Sequence, residues 1–386
     1  MKILFLIYHG FSEHSGISKK IHYQIKGLRE NGHEVHVCTY YIREDGHRVR
    51  MVDDDVLIQD YGCGRLAAIK QRFSFKRLTD YVIEHGFGFV YARSFHNANW
   101  ATVKMFKRFK EQGIPSVMEI PTYPYDQEYA SVASWEEKIK LTLDRWYRKE
   151  LAAQVNAIVT FTNDKEIFGQ RTICISNGID YDHIPMQKRL PHPADNEIHL
   201  IGVAEVHYWH GYDRLIAGLG EYYKQKREKI VYFHIVGGVA NSEMYDSVHA
   251  PGFHELIVKY GIEKYVIFHG QKFGDELDSL FNQADFAIGS LARHRSGITY
   301  IKTLKNREYA ARGIPFIYSE TDEDFEQMPY IIKAPADESP IDIQRIIDFK
   351  VASILTSLEI RNSITNLSWC KQMEKILKFV ETNKYI

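Results

Sequence analysis

The stretch SGITYIKTLKNREYAARGIP, residues 296–315, sets three cations (Lys302, Lys305, Arg307) and one carboxylate (Glu308) directly ahead of a run of small residues that ends in Gly-Ile-Pro. The loop before it adds Arg293, His294 and Arg295. Other loops at the ends of apolar runs are rich in glycine. HGFSEHSGIS (9–18) brings Gly10 and Gly16, with Ser15 placed to cap a following helix, and VGGVA (236–240) brings Gly237 and Gly238. Glycine lets a backbone approach a ligand closely, and the free N–H groups of a helix N-terminus attract anions. Two further loops, FVYARSFHNANW (89–100) and VMEIPTYPYDQE (117–128), carry Arg93, His96 and Glu119. The chemistry offered is therefore anion binding at loops, with an imidazole and a carboxylate as candidate proton acceptors.

These loops need a frame that brings them together. Short β-rich apolar runs alternate with amphipathic stretches along the whole chain, the pattern of parallel strands joined by crossover helices. In the first half the runs are KILFLIY (2–8), EVHVCTY (34–40), GFVYAR (88–93), PSVMEI (115–120), AIVTFT (157–162) and TICISNGID (172–180), with helices expected at 17–31, 98–111 and 134–152. The segment HIPMQKRLPHPADN (183–196), with three prolines and no apolar period, reads as a hinge. A second series follows: IHLIGVA (198–204), VYFHIVG (231–237), YVIFHG (265–270), DFAIGS (285–290) and PFIYS (315–319), with helices near 211–226, 252–260, 274–283 and 303–312. The tail over 340–384 is helical by pattern. The expected architecture is α/β, with two doubly wound, Rossmann-like units facing an interdomain cleft. Their limits are 1–183 and 184–370, and a final helix (371–386) crosses back to the first unit. Ligands of open parallel sheets bind at the carboxyl ends of the strands.

The length of 386 residues fits two hydrophobic cores. No apolar run approaches the ~20 residues of a membrane span, and the apolar start, MKILFLIYHGF, lacks a cleavage site, so it reads as a buried strand. Cys38, Cys63, Cys174 and Cys370 are far apart with no CxxC spacing, as expected of thiols in a reducing cytoplasm. The formal net charge is −1, which gives no reason to expect a nucleic-acid partner. Residues 1–190 carry 27 Lys and Arg against 23 Asp and Glu, a mild basic excess compatible with an anionic acceptor or with peripheral contact at the inner membrane face.

Several segments in register resemble the retaining glycosyltransferases of family 4, which have the GT-B fold: ISNGID (175–180), WHGYDRLI (209–216), IVGG (235–238), LFNQADFAI (280–288) and REYAARGIPFI (307–317). SGISKKIHYQIKGLRENGHEVHV (15–37) is similar to that family's first loop and helix. The resemblance covers most of the chain. It implies a nucleotide diphosphate sugar as donor, no separate cofactor and no metal; DDD (53–55) lies in a short polar segment and is expected at the surface. Glu308 matches the second Glu of the family's E-x7-E motif, whose carboxylate accepts hydrogen bonds from the ribose hydroxyls. Gly16, Gly237 and Gly238 fall in the donor-side loops, and Tyr300 and Lys305 fall in the donor motif itself.

The chain departs from the family where charge matters most. The first Glu of the motif is Tyr300, and the diphosphate-binding Arg and Lys fall on Glu205 and His210. A diphosphate leaving group gains negative charge as the glycosidic bond breaks, so cations must stand near it. Arg293, His294, Arg295, Lys302 and Lys305 are in place to take over, with Arg295 and Lys302 as the expected replacements. On the acceptor side, Arg93, His96 and Glu119 are candidates for binding the acceptor or taking its proton, His96 being the expected catalytic group. Tyr123, Tyr125 and Tyr129 are placed to stack on a sugar or to pack under a loop. The expected activity is transfer of a sugar, with retention, from a nucleotide diphosphate sugar to a saccharide or lipid-linked acceptor in surface polysaccharide or glycoconjugate synthesis. Two other classes stay open: a non-catalytic GT-B subunit that binds a nucleotide, glycan or partner, and a nucleotide-sugar epimerase.

Overall fold

The computed structural model describes residues 1–386 except 13–15, 95, 127–134, 191–194, 227, 245–251, 353–354 and 383–386. Ser15 and Tyr129 lie outside the described residues. The chain forms two compact units, one of residues 1–178 with 368–386, the other of residues 179–367.

Among the described residues the first unit has nine strands: β1 (Lys2–Leu6), β2 (Glu34–Ile42), β3 (Arg48–Val52), β4 (Val56–Asp60), β5 (Phe89–Arg93), β6 (Ser116–Ile120), β7 (Ala157–Thr160), β8 (Glu166–Ile167) and β9 (Gln170–Cys174). Their order in the sheet is β4-β3-β2-β1-β5-β6-β7-β9-β8. The central pairs, from β2 through β1, β5, β6 and β7 to β9, are parallel. β5 and β6 are buried at every position, as strands covered on both faces must be. The hairpin β3–β4 was not expected. Asp53 and Asp54 make its turn with left-handed backbones (φ 53° and 65°), which explains the exposed DDD run.

The helix Gly16–Glu30 lays Ile21, Ile25 and Leu28 on the sheet, a spacing of one face per turn. The last helix, Trp369–Thr382, joins the same core through Trp369, Met373, Ile376, Leu377 and Val380. The chain therefore rejoins its first unit at residue 368, and the helix begins at Trp369.

Among the described residues the second unit has six strands, all parallel: β10 (Glu197–Val203), β11 (Ile230–Val236), β12 (Val266–Gly270), β13 (Phe286–Ile288), β14 (Phe316–Tyr318) and β15 (Ile331–Lys333). The order β12-β11-β10-β13-β14-β15 is that of a Rossmann sheet, and it reverses between β10 and β13. The supposed hinge belongs to this unit over its described first part. The backbone N–H of Gln187 donates to the carbonyl of Arg312, its side-chain amide donates to the carbonyl oxygens of Phe281 and Ala284, and Leu190 N–H donates to Asn282. Proline kept the segment out of regular structure, and side-chain amide bonds fixed it in place.

Candidate functional site

In the second unit the loops that leave β10, β11 and β12 are tied together. Ala204 N–H donates to Val236, Val206 N–H to Gly238, and Gly237 N–H to Gly270. Gly237 sits at φ 126°, and a Cβ there would stand 1.8 Å from the carbonyl oxygen of Ala204, so no other residue type fits. A Cβ at Gly238 would meet only the side-chain amide of Gln271, at an ordinary 3.7 Å. The next turn, Tyr208–His210, is closed by His207 N–H donating to His210 Nδ1 at 2.9 Å. Burial, with Lys305 and Arg293 nearby, holds His210 well below the ordinary histidine range, so it is a neutral acceptor within its own turn. Glu205 is exposed.

The loops that leave β13 and β14 carry the charge. The helix Leu304–Arg312 begins at Thr303, whose side chain makes no cap, so the first N–H groups of the helix have no such partner. Around this N-terminus, five buried polar atoms have no hydrogen-bond partner among the described residues: Ser290 Oγ, Thr303 Oγ1, Lys305 Nζ, Asn306 Oδ1 and Glu320 Oε2. Burial, and then Arg293, push the Lys305 ammonium down to about 7. Burial pushes the Glu320 carboxyl up to about 7. Arg293 lies with its guanidinium 5.3 Å from the ring centre of Trp209, which itself stacks on His207 at 4.4 Å. Two cations, one carboxylate and an uncapped helix end are thus grouped at the carboxyl ends of β13 and β14.

The other charges of the opening segment are engaged elsewhere. Arg307 is fully buried and paired with Asp322 at 2.7 Å and with Asp324. Arg295 does not join Lys305: its guanidinium is fixed to Asp213 at 2.9 and 2.7 Å and to Glu338, and it also donates to Tyr208 O. With two carboxylates on it, Arg295 offers no net charge to a phosphate; Arg293, two residues away, lies by Lys305 instead. Lys302 is buried beside the bridge that Tyr300 makes with Thr321. Glu308 is half-buried, its Oε1 paired with Arg312 (2.9 Å), which also holds Asp278 at 2.8 Å. Glu320, Ser290 and Trp209 were not singled out in the sequence. The place of Glu320 directly after a strand, in PFIYSE, was the available signal.

In the first unit, Gly16 starts its helix with no atom within 4 Å of where a Cβ would be. Glu119, expected to face a ligand, is fully buried inside a polar network. It accepts from Gln24 (2.6 Å) and Tyr91 (2.5 Å) and pairs with Arg93 (3.4 Å) and Lys20 (3.7 Å). The cations Lys20 and Arg93 hold its carboxyl below the usual range despite burial, so it is no proton acceptor at neutral pH. Arg93 is part of that network.

His96 stands apart from it. Its backbone is left-handed (φ 47°), its ring packs on Tyr125 at 4.6 Å, and its carbonyl accepts from Arg72 at 2.5 Å. Burial lowers its pKa, leaving a neutral imidazole. Asn99, three residues on, caps the helix Trp100–Glu111 through a reciprocal pair with Thr102 and fixes the loop. Tyr125 OH is held by Asp144 at 2.6 Å, which gives it a packing role under His96. Tyr123 packs edge-on against Phe168.

No family model matches the chain, and no curated protein matches it in sequence. Solved structures do match. A glycosyltransferase from Rickettsia africae superposes over 100% of this chain and 99% of its own, at 12% identity and TM-score 0.61. Sucrose-phosphate synthase from Thermosynechococcus elongatus matches over 99% and 98%, at 14% identity and TM-score 0.63. The catalytic domain of starch synthase IV from Arabidopsis thaliana, bound to ADP and acarbose, matches over 100% and 99%, at 10% identity and TM-score 0.62. At such identities the likeness establishes the fold: the chain has the GT-B fold, two Rossmann-like units.

Proposed function

We propose that the chain is a glycosyltransferase that moves a sugar, with retention, from a nucleotide diphosphate sugar to a saccharide or lipid-linked acceptor. The observation that carries this reading is Lys305 Nζ, buried with no hydrogen-bond partner among the described residues, at an uncapped helix N-terminus and near Arg293. Arg293 repels that ammonium, and the one carboxyl acting on it, Glu320, is itself held up near 7 by burial, so the group is short of negative charge and a diphosphate supplies it. The named activities of the structural neighbours, one of them bound to ADP, agree with it.

In this reading Glu308 accepts the ribose hydroxyls through its unpaired oxygen, and Gly238 lines the nucleotide with backbone alone. Lys305, Arg293 and Lys302 face the diphosphate. As the bond from the anomeric carbon to the phosphate oxygen breaks, its electron pair goes to the diphosphate, and these cations stabilise the charge that develops. The acceptor oxygen bonds to the same carbon on the face from which the diphosphate departs, so configuration is kept, and it gives up its proton; His96, neutral at pH 7, is the acceptor-side base. Glu320, half protonated near neutral pH, can donate a hydrogen bond to the donor sugar, a task for which Tyr300 has no carboxylate.

A lipid-linked acceptor and peripheral membrane contact draw support from the helix Trp135–Ala152, which exposes Trp135, Ile139 and Trp146 among its lysines and arginines. No helix among the described residues is long and apolar enough to cross a membrane.

Incubation with UDP-, GDP- and ADP-sugars and simple saccharides, followed by measurement of released nucleotide, tests the reading; release that falls in Lys305→Met is expected. A second reading, a non-catalytic binding subunit, is favoured by Glu205, an exposed carboxylate where the resembling family carries a phosphate-binding Arg. It requires nucleotide binding with no release from any donor.

A further inference from the structure

The first unit contains a cavity of about 200 Å³ beside His96. It opens where Tyr8 follows β1 and where His96 and Asn97 follow β5, the point at which strand order turns back in this sheet. At about 30 Å³ per water it holds some six or seven waters, enough for a phosphate or carboxylate and part of a sugar ring.

Its lining is strongly one-signed. Arg48, Arg50, Arg72 and Lys140 face it, with Glu137 as the one acid among the described residues that line it. Arg50 is buried, and its N–H groups donate to the carbonyl oxygens of Ser74 (2.9 Å) and Gln71 (3.2 Å) while its plane lies 4.3 Å from the Phe75 ring centre. Carbonyls orient a guanidinium without neutralising it. Arg72 is part-buried and donates to the carbonyl of His96, so it too meets a dipole, and no carboxylate among the described residues pairs with it in direct contact. Gln71, buried between them, has an amide nitrogen with no acceptor among the described residues. Asp144, the nearby acid on the adjoining helix, already receives Tyr125 OH and Ala98 N–H. Two buried or half-buried arginines and an amide N–H short of an acceptor form a built site for an anionic group.

We propose that this cavity binds the anionic group, phosphate or carboxylate, of a monosaccharide-sized ligand against Arg72, Arg48 and the Gln71 amide. The anion subsite stands on the first unit alone. That its ligand is the sugar acceptor rests on the glycosyl-transfer reading, with His96 then beside the reacting hydroxyl.

Calorimetry on the full chain tests it with inorganic phosphate, glucose 6-phosphate, glucuronate and glucose as probes. Glucose 6-phosphate or glucuronate is expected to bind at least tenfold more tightly than glucose, and the stronger of the two identifies the anion. That affinity should fall tenfold or more in Arg72→Gln and severalfold in Arg48→Gln; Arg48 is the half-buried first residue of an otherwise buried strand, and its variant should keep the wild-type melting midpoint. It should be unchanged in Lys305→Met. Equal affinity for charged and neutral sugars, or a loss in Lys305→Met with none in the two arginine variants, would overturn the subsite. Binding of the anionic sugar without turnover from any nucleotide sugar would keep the subsite and remove the transferase reading. Turnover onto neutral acceptors with no measurable binding of either anionic sugar would do the reverse.

Discussion

Arg295 and Asp213 form a two-point pair, with nitrogen–oxygen distances of 2.9 and 2.7 Å, between a short turn after β13 and the first turn of the helix Tyr212–Tyr223. The pair, with Glu338 on its outer side, anchors the loop that carries Arg293. Removing Arg295 leaves Asp213, which is 10% exposed, without its cation. Arg295→Ala is therefore expected to cost roughly 3 kcal/mol of stability. Urea denaturation reads this, and nucleotide affinity measured on the remaining folded protein should change by less than in Arg293→Ala. A stable Arg295→Ala protein that has lost only phosphate affinity would return Arg295 to the site.

Lys305 and Glu320 set a pH dependence. The Lys305 ammonium is pushed down to about 7, so its contribution to stability is full above its unfolded value near 10.5 and is lost as pH falls through 7. Glu320 is pushed up to about 7, so its contribution is full below its unfolded value near 4.5 and is lost as pH rises through 7. Both penalties meet near neutrality. Lys305→Met should raise the unfolding free energy at pH 7 by about 2–4 kcal/mol and have little effect at pH 10.5. Equal effects at both pH values would contradict the buried, unpaired state of Lys305.

The two glycines at the end of β11 separate by role. Gly237→Ala drives a Cβ into the Ala204 carbonyl from a left-sided backbone and should lower stability by at least 2–3 kcal/mol, an order set by strained backbones. Gly238→Ala meets nothing closer than 3.7 Å and should leave the melting midpoint within a degree or two. Similar losses in both would mean the loop is arranged differently.

Glu308→Gln keeps one neutral oxygen for a ribose hydroxyl and weakens the pair with Arg312. Nucleotide binding should weaken by about 1.5–3 kcal/mol, the range for a hydrogen bond to a charged group. Deoxyribose nucleotides should bind wild type and variant more nearly alike, a difference calorimetry resolves.

The strands were readable because parallel strands buried on both faces, such as FVYAR and SVMEI, are unbroken apolar runs, and the order and length of these runs imply two doubly wound units. β3 was not readable, since Arg48 and Arg50 break its apolar pattern; the structure buries Arg50 on Phe75, a contact between distant segments. The same limit applies to the charged loop. Arg293 and Arg295 are alike in sequence, and only the fold shows that one stacks on Trp209 while the other is clamped by Asp213. Glu119 and His96 both follow strand signals, yet Lys20 and Arg93 enclose the first while a cavity opens beside the second. Pairing across the fold decides which charges are left for a ligand, and spacing along the chain does not record it.

The central claim is that Lys305 and Arg293 receive the diphosphate of a nucleotide. Titration of the wild-type protein and of Lys305→Met with UDP, GDP and ADP, and with the matching nucleosides, tests it most directly. One nucleoside diphosphate is expected to bind the wild type, to lose at least tenfold in affinity in Lys305→Met, and to leave the weaker binding of its nucleoside unchanged. Binding of none of the three by the wild type, or an undiminished affinity in Lys305→Met, would contradict the account.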